Sequence, residues 1–160
     1  METVICDTET TGLSADDEIV EIALIDGEGS VLLNTLVKPT RLTSWPQAQR
    51  IHGISPEMVQ HFPTIDFYHD VISEIVSGKH LIIYNSAYDM QYLKFAEEKP
   101  AKISCAMKSY LNYSGGRRWK KLDYVVDQIG YEFEGEAHRA LADARAALAV
   151  WKFLVEKGVV

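Results

Sequence analysis

Two runs rich in Val, Ile and Leu, residues 19–25 and 31–37, are separated by little more than Asp26-Gly27-Glu28-Gly29. So short a gap, with two glycines in it, reads as a hairpin between antiparallel strands. Upstream, Val4-Ile5-Cys6 is a third apolar run, read as a buried strand after which Thr10-Thr11-Gly12 turns the chain. The first 37 residues are therefore expected to form a three-stranded meander, ended by Pro39.

After residue 64 the period changes. Apolar residues at 65, 68, 71, 72, 75 and 76 repeat at helical spacing, and Gly78 stops that segment. Leu81-Ile82-Ile83-Tyr84 reads as a fourth strand and 87–97 as a helix. Ile103-Ser104-Cys105 is a fifth strand, 106–112 a helix and 113–121 a loop. Residues 122–129 form a helix stopped by Gly130, and 141–155 a long alanine-rich helix. Between the two halves, residues 40–63 hold three of the five prolines and read as loops and short helices, with Ser55 capping a helix that Pro56 opens. A meander followed by alternating strands and helices defines an α/β domain with a mixed central sheet. At 160 residues, 47% hydrophobic and 24% charged, the chain suits one domain, residues 1–160, with a core that needs no staples.

Sixteen Lys and Arg against 23 Asp and Glu leave a net charge of −7. That argues against a surface holding nucleic acid by bulk positive charge, and leaves room for a local basic patch. Cys6 and Cys105 can form neither a disulfide framework nor a zinc site by themselves, so a reducing, cytoplasmic interior is expected and both read as small buried apolar groups. No run of 18 apolar residues occurs, so no membrane span is expected. The opening METVICDTET lacks the basic-then-apolar order of a signal peptide.

Several acidic residues lie near strand ends and helix starts. Asp7 and Glu9 follow the first apolar run at i and i+2. If the strand continues, both point to one face, with Cα atoms roughly 6–7 Å apart, and repel unless a cation or proton lies between them. The alternative is a solvated turn. Asp89 follows the fourth strand by five residues, where open α/β sheets build sites, though the first turn of a helix would favour it through the dipole alone. His138 and Asp143 are five apart, about 140° around a helix, so they converge only if His138 lies in the loop leading into the helix. Asp143 sits among alanines and needs a cation if buried, or pairs with Arg139 or Arg145 if exposed. Four carboxylates without a thiolate suit Mg²⁺ or Mn²⁺, and two such ions suit in-line phosphoryl displacement. His138 is of the type that deprotonates water near neutral pH.

The order and context of these residues resemble the DEDDh, or DnaQ-like, family of 3′–5′ exonucleases. The first motif is Ile5-Cys6-Asp7-Thr8-Glu9-Thr10-Thr11-Gly12-Leu13, the second Tyr84-Asn85-Ser86-Ala87-Tyr88-Asp89, and the third His138-Arg139-Ala140-Leu141-Ala142-Asp143-Ala144. Ile51-His52-Gly53-Ile54 matches a further family segment. Together they span nearly the whole chain. The overall likeness is to the short exonuclease X and proofreading-subunit type. Tyr84 stands where family members often carry His, and Tyr88 where they often carry Phe.

The resemblance implies a ribonuclease H-like three-layer α/β/α fold with a central mixed five-stranded sheet. It implies Asp7, Glu9, Asp89 and Asp143 as ligands of two divalent cations, Mg²⁺ or Mn²⁺, and His138 as general base. Thr10, Thr11 and Leu13 would border the terminal nucleotide, with Leu13 against the last base and Asn85, Tyr88 and His52 near the strand. The implied activity is removal of nucleoside 5′-monophosphates from single-stranded or frayed 3′ ends, DNA favoured over RNA. An RNA-trimming member of the family and a catalytically silent binding module are the rivals. A DNA polymerase or repair partner is left open, as is the oligomeric state. A polymerase-tethering extension after the domain is not expected. Arg117-Arg118-Trp119-Lys120-Lys121 is the one dense basic cluster, and cations interleaved with an aromatic suit phosphates and a stacked base. The alternative is a solubilising loop with a half-buried Trp.

Overall fold

The apolar runs of the first 37 residues do form a meander. A computed structural model describes residues 1–93, 95 and 99–160. Strands β1 (Thr3–Thr10), β2 (Ile19–Asp26) and β3 (Val31–Leu36) pair antiparallel in sequence. The β2–β3 turn is built by Asp26, whose carboxylate accepts the N–H groups of Glu28 at 2.9 Å and Ser30 at 2.8 Å, while Gly29 takes the φ of 93° that the turn requires. Strands β4 (His80–Ile83) and β5 (Lys102–Cys105) add in parallel on the other side of β1. The sheet order is β3-β2-β1-β4-β5, mixed and five-stranded, with β1 at its centre.

Residues 40–63 contain the short helices α1 (Pro46–His52) and α2 (Pro56–Val59), the second capped by Ser55, whose hydroxyl accepts from Met58 N. Helix α3 (Ile65–Val76) turns Tyr68, Ile72 and Val76, spaced by four, onto the sheet face that carries Val4, Cys6, Ile22, Leu24, Leu81 and Ile83. The opposite face carries Ile5, Ala23, Ile25 and Ile82 and is covered by α5 (Ala106–Ser114), α6 (Leu122–Ile129) and α7 (Ala140–Glu156). Ala140, Ala144 and Ala147 have no exposed surface, so their small side chains let α7 approach β1 and β2 closely. The layers are thus α/β/α, as expected. Cys6 and Cys105 are free and buried.

One element differs in kind. The helix expected over 87–97 is a single turn, α4 (Ser86–Asp89), followed by turns through Tyr92. Gln91 and Tyr92 donate their N–H groups three residues back, to Tyr88 and Asp89, which tightens the chain instead of extending the helix. The part of that expectation falling on residues 94 and 96–98 lies outside the described residues. Tyr113 and Ser114, read as loop, complete α5. Among the described residues, no helix is long and apolar enough to cross a membrane.

Candidate active site

β1 continues past Cys6, and that continuation assembles the acidic cluster. With side chains alternating, Ile5, Asp7 and Glu9 share the face beneath α7, while Thr8 follows Val4 and Cys6 to the other face. Asp143 arrives from the first turn of α7, on the same helix face as the buried Ala140 and Ala147. One carboxylate oxygen from each of Asp7, Glu9 and Asp143 lies within 4.8 Å of the other two. Asp89, buried at the start of the chain after β4, is outside that set of mutually close oxygens. Its Oδ1 accepts from Thr8 Oγ1 at 2.7 Å.

The charges are poorly solvated and crowded. Burial pushes the Asp7 carboxyl well above its usual range, and Asp89, Glu9 and Asp143 push it further. Glu9 is raised to about 9, by burial first and then by Asp143, Glu21 and Asp89. Asp143 and Asp89 are each raised by burial to about 6, held from rising further by hydrogen bonds from His138 N–H and Thr8 respectively. Neither arginine considered for Asp143 pairs with it: Arg139 grips Glu21, and Arg145 lies 3.7 Å from Glu134. An all-oxygen donor set with no ion-pair partner among the described residues fits a hard divalent cation, which Asp7, Glu9 and Asp143 could hold directly with Asp89 alongside.

His138 does lie in the loop leading into α7, exposed, and its backbone N–H donates to Asp143 Oδ1 at 3.1 Å. Its φ is 62°, the only positive value at a non-glycine among the described residues. The backbone, not a shared helix face, therefore brings His138 and Asp143 together.

Residues 11–18 form a tightly bonded loop that holds Leu13 outward, 85% exposed. Thr11 Oγ1 donates to Asp17 Oδ1 at 2.7 Å, Ser14 donates N–H and O–H to Asp17 Oδ2, and Tyr88 and Tyr92 donate to the carbonyls of Gly12 and Ser14. A Cβ on Gly12 would fall 2.6 Å from the Asp17 carboxylate, so a larger residue there would have to push that carboxylate off its bonds to Thr11 and Ser14. The hydroxyls of Thr10 and Thr11 are thus committed to building this loop, Thr10 donating to Gly12 O at 2.6 Å. His52 is buried and both its ring nitrogens meet backbone: Nδ1 accepts from Ile54 N–H and Nε2 lies 3.0 Å from Thr10 O. Its geometry supports the end of β1.

Two hollows meet at Leu13 and Tyr88. One, of ≈ 350 Å³, is lined by Asn85, Trp119, Lys120, Lys121, His138 and Asp143 with those two residues. The other, of ≈ 640 Å³, is lined by Glu9, Thr10, Thr11, Ile51 and His52. Arg117 and Arg118 are exposed and do not line the first hollow. Trp119 is 60% exposed, more than the half-buried residue of the solubilising alternative. Tyr84 O–H donates to Lys120 O at 2.7 Å and so ties this basic loop to the end of β4.

Sequence reasoning passed over Glu21. It is 4% exposed, in the middle of β2 and opposite Glu9 in the β1–β2 register. The available signal was a lone carboxylate inside the apolar run 19–25.

A mixed sheet with carboxylates gathered beyond the centre of β1, under the first turn of the last helix, defines a ribonuclease H-like nuclease architecture. The exonuclease family model of the RNase T type matches residues 4–151, and the chain belongs to that family, as a DEDDh, DnaQ-like exonuclease. An uncharacterized exonuclease, CP81, of Escherichia phage 186 is 39% identical over 176 residues, covering 97% of this chain and 89% of the relative. The DNA polymerase III subunit epsilon of Rickettsia felis is 31% identical over 165 residues, covering 92% of this chain and 71% of the subunit. Among solved structures, exonuclease X in complex with 5′ overhanging duplex DNA superposes with a TM-score of 0.80 at 28% identity, covering 97% of this chain and 92% of that one.

Proposed function

We propose that residues 1–160 act as one metal-dependent 3′–5′ exonuclease domain that removes nucleoside 5′-monophosphates from single-stranded or frayed DNA 3′ ends. The observation that carries this reading is the cluster of Asp7, Glu9 and Asp143 oxygens within 4.8 Å of one another, opening on a cleft that ends at the exposed Leu13. Asp7, Glu9, Asp89 and Asp143 would hold two divalent cations, Mg²⁺ or Mn²⁺. Bound there, the cations supply polarisation of the phosphoryl group and charge neutralisation at the leaving oxygen. His138, exposed beside Asp143, takes the proton of the attacking water. Leu13 packs against the terminal base, which favours a chain end over an internal site. Thr10, Thr11 and His52 shape the pocket wall, Asn85 and Tyr88 flank the strand, and Arg117, Arg118, Trp119, Lys120 and Lys121 hold its phosphates and stack a base.

DNA as substrate is supported by the likeness to exonuclease X, solved with DNA, and a polymerase partner by the likeness to polymerase III epsilon subunits. The deciding experiment digests 5′-labelled DNA and RNA strands with Mg²⁺, Mn²⁺ or EDTA. The expected result is a DNA ladder shortening from the 3′ end, mononucleotide product and no cleavage in EDTA. Full activity in EDTA, or cutting of a circular single strand, sinks the reading, and faster digestion of RNA moves the substrate to RNA.

A further inference from the structure

His138 adopts a backbone conformation that non-glycine residues rarely hold, and a neighbouring pair over-determines it. The N-cap residue of α7, Arg139, gives that helix no side-chain cap. The first helical N–H, of Ala140, instead donates to Glu21 Oε1 at 2.6 Å, across 119 residues of sequence. Arg139 grips the same carboxylate, with Nε 3.2 and 3.1 Å from its two oxygens and Nη2 2.6 Å from Oε2. On its other side, His138 donates its own N–H to Asp143. The residue with φ of 62° is therefore suspended between β2 and the first turn of α7.

A helix N-terminus alone does not call for this arrangement, since a Ser or Asp at the N-cap satisfies it locally without burying a carboxylate. Strained backbone persists where its surroundings hold it in place. Glu21 faces Glu9 in the register, yet Arg139 occupies its oxygens and keeps them out of the cluster of Asp7, Glu9 and Asp143.

We infer that Glu21 and Arg139 are positioning residues: they clamp the turn at His138 and so aim its imidazole into the cleft, without holding metal or substrate themselves. The inference rests on the proposed role of His138. Misplacing a reacting group by about 1 Å costs on the order of 10²-fold in rate. Glu21→Gln keeps the shape and an acceptor for Ala140 but loses the charge that holds Arg139.

The test measures cleavage at saturating DNA, KM and calorimetric Mn²⁺ affinity for wild type, Glu21→Gln, His138→Ala and the double variant. Arg139→Lys and Arg139→Met are compared alongside, and hydrogen exchange and thermal melting are followed in EDTA. Glu21→Gln is expected to lower kcat about 10–100-fold, with KM and Mn²⁺ affinity within about two-fold of wild type. In the His138→Ala background it should change kcat less than about two-fold, because the group it aims is already gone. Arg139→Lys should retain more activity than Arg139→Met. In metal-free protein, Glu21→Gln should speed amide exchange at Ala140 and Asp143 while the melt stays cooperative. A full loss repeated in the His138→Ala background overturns the inference, as does a ten-fold loss of Mn²⁺ affinity. Arg139→Met raising KM at constant kcat would make Arg139 a phosphate contact and overturn it too. His138→Ala cutting at the wild-type rate would instead sink the base assignment on which the inference stands.

Discussion

Thr8 Oγ1 donates to Asp89 Oδ1 at 2.7 Å, and both side chains are buried, at 5% and 4% exposure. The bond fastens the chain after β4 to β1 beside Asp7, whose carboxyl Asp89 pushes up more than any other charge does. Thr8→Val keeps the shape and removes the donor. A hydrogen bond to a charged group contributes about 1.5–3 kcal/mol. Because the Asp89 pKa, raised by burial to about 6, puts it mostly in the ionised form at pH 8, the loss in EDTA should be near that range there and smaller at pH 5. Urea unfolding at the two pH values measures it. Equal stability of variant and wild type at both would mean the bond does not order Asp89.

The acidic cluster makes the metal-free fold weaken as pH rises. A carboxyl whose folded pKa exceeds its unfolded one binds more protons when folded, so its stabilisation is present at low pH and lost as pH climbs through the folded value. Asp143 and Asp89 span the window from 3.8 to about 6, and Glu9 that from 4.5 to about 9. The melting temperature in EDTA should therefore fall between pH 5 and pH 8. Mn²⁺ or Mg²⁺ should restore it, by an increment that grows with pH because binding displaces protons. An increment that is flat with pH would contradict a cation held by these carboxylates.

Asp7→Asn should separate stability from activity. The change is nearly isosteric and removes the charge that Asp89, Glu9 and Asp143 repel. Cleavage with Mg²⁺ should fall by several orders of magnitude, as for a group that acts with its neighbours as a unit. The melting temperature in EDTA should rise, by about 2–4 °C for each kcal/mol of relieved repulsion in a domain of this size. Wild-type cleavage would remove Asp7 from the site, and a lowered metal-free melting temperature would show that its charge is compensated.

The meander and the alternating strands and helices were legible because each rests on a local pattern: Val/Ile/Leu runs, a two-glycine turn, helical spacing. The four carboxylates stood out only through the order of the three motifs that resemble the family, since each alone also read as a solvated turn, a helix start or an exposed helical acid. What was not legible depends on distant partners. Glu21 reads as an anomaly in an apolar strand until Arg139, 118 residues away, supplies its counterion. In the stretch expected as a helix over 87–97, Tyr88 and Tyr92 reach back to the carbonyls of Gly12 and Ser14, and the backbone between them takes tight turns. Thr10 and Thr11 were read as pocket residues from the family pattern, and only the folded loop reveals that their hydroxyls are engaged within it.

Lys120 and Lys121 line the cleft beside His138, and Lys120 Nζ also sits 5.1 Å above the Tyr124 ring, while Tyr84 holds the loop through the Lys120 carbonyl. Phosphate contacts release counterions, so each one lost from a single strand flattens the slope of log affinity against log salt by about 0.7. Replacing Arg117, Arg118, Lys120 and Lys121 together with Ala should raise KM at low salt and flatten its salt dependence, leaving the rate at saturation nearly unchanged. Tyr84→Phe keeps every charge and removes only the tether. It should raise KM by a smaller factor with the salt slope intact, because the cations remain but must be ordered on binding. Steady-state kinetics across 20–300 mM salt would measure both variants, a range of about one decade chosen to expose the slope. A fourfold variant with wild-type KM and slope would return the loop to a purely solubilising role. A Tyr84→Phe variant whose slope flattened like the fourfold one would mean that the tether, and not the number of cations, sets the contact with the strand.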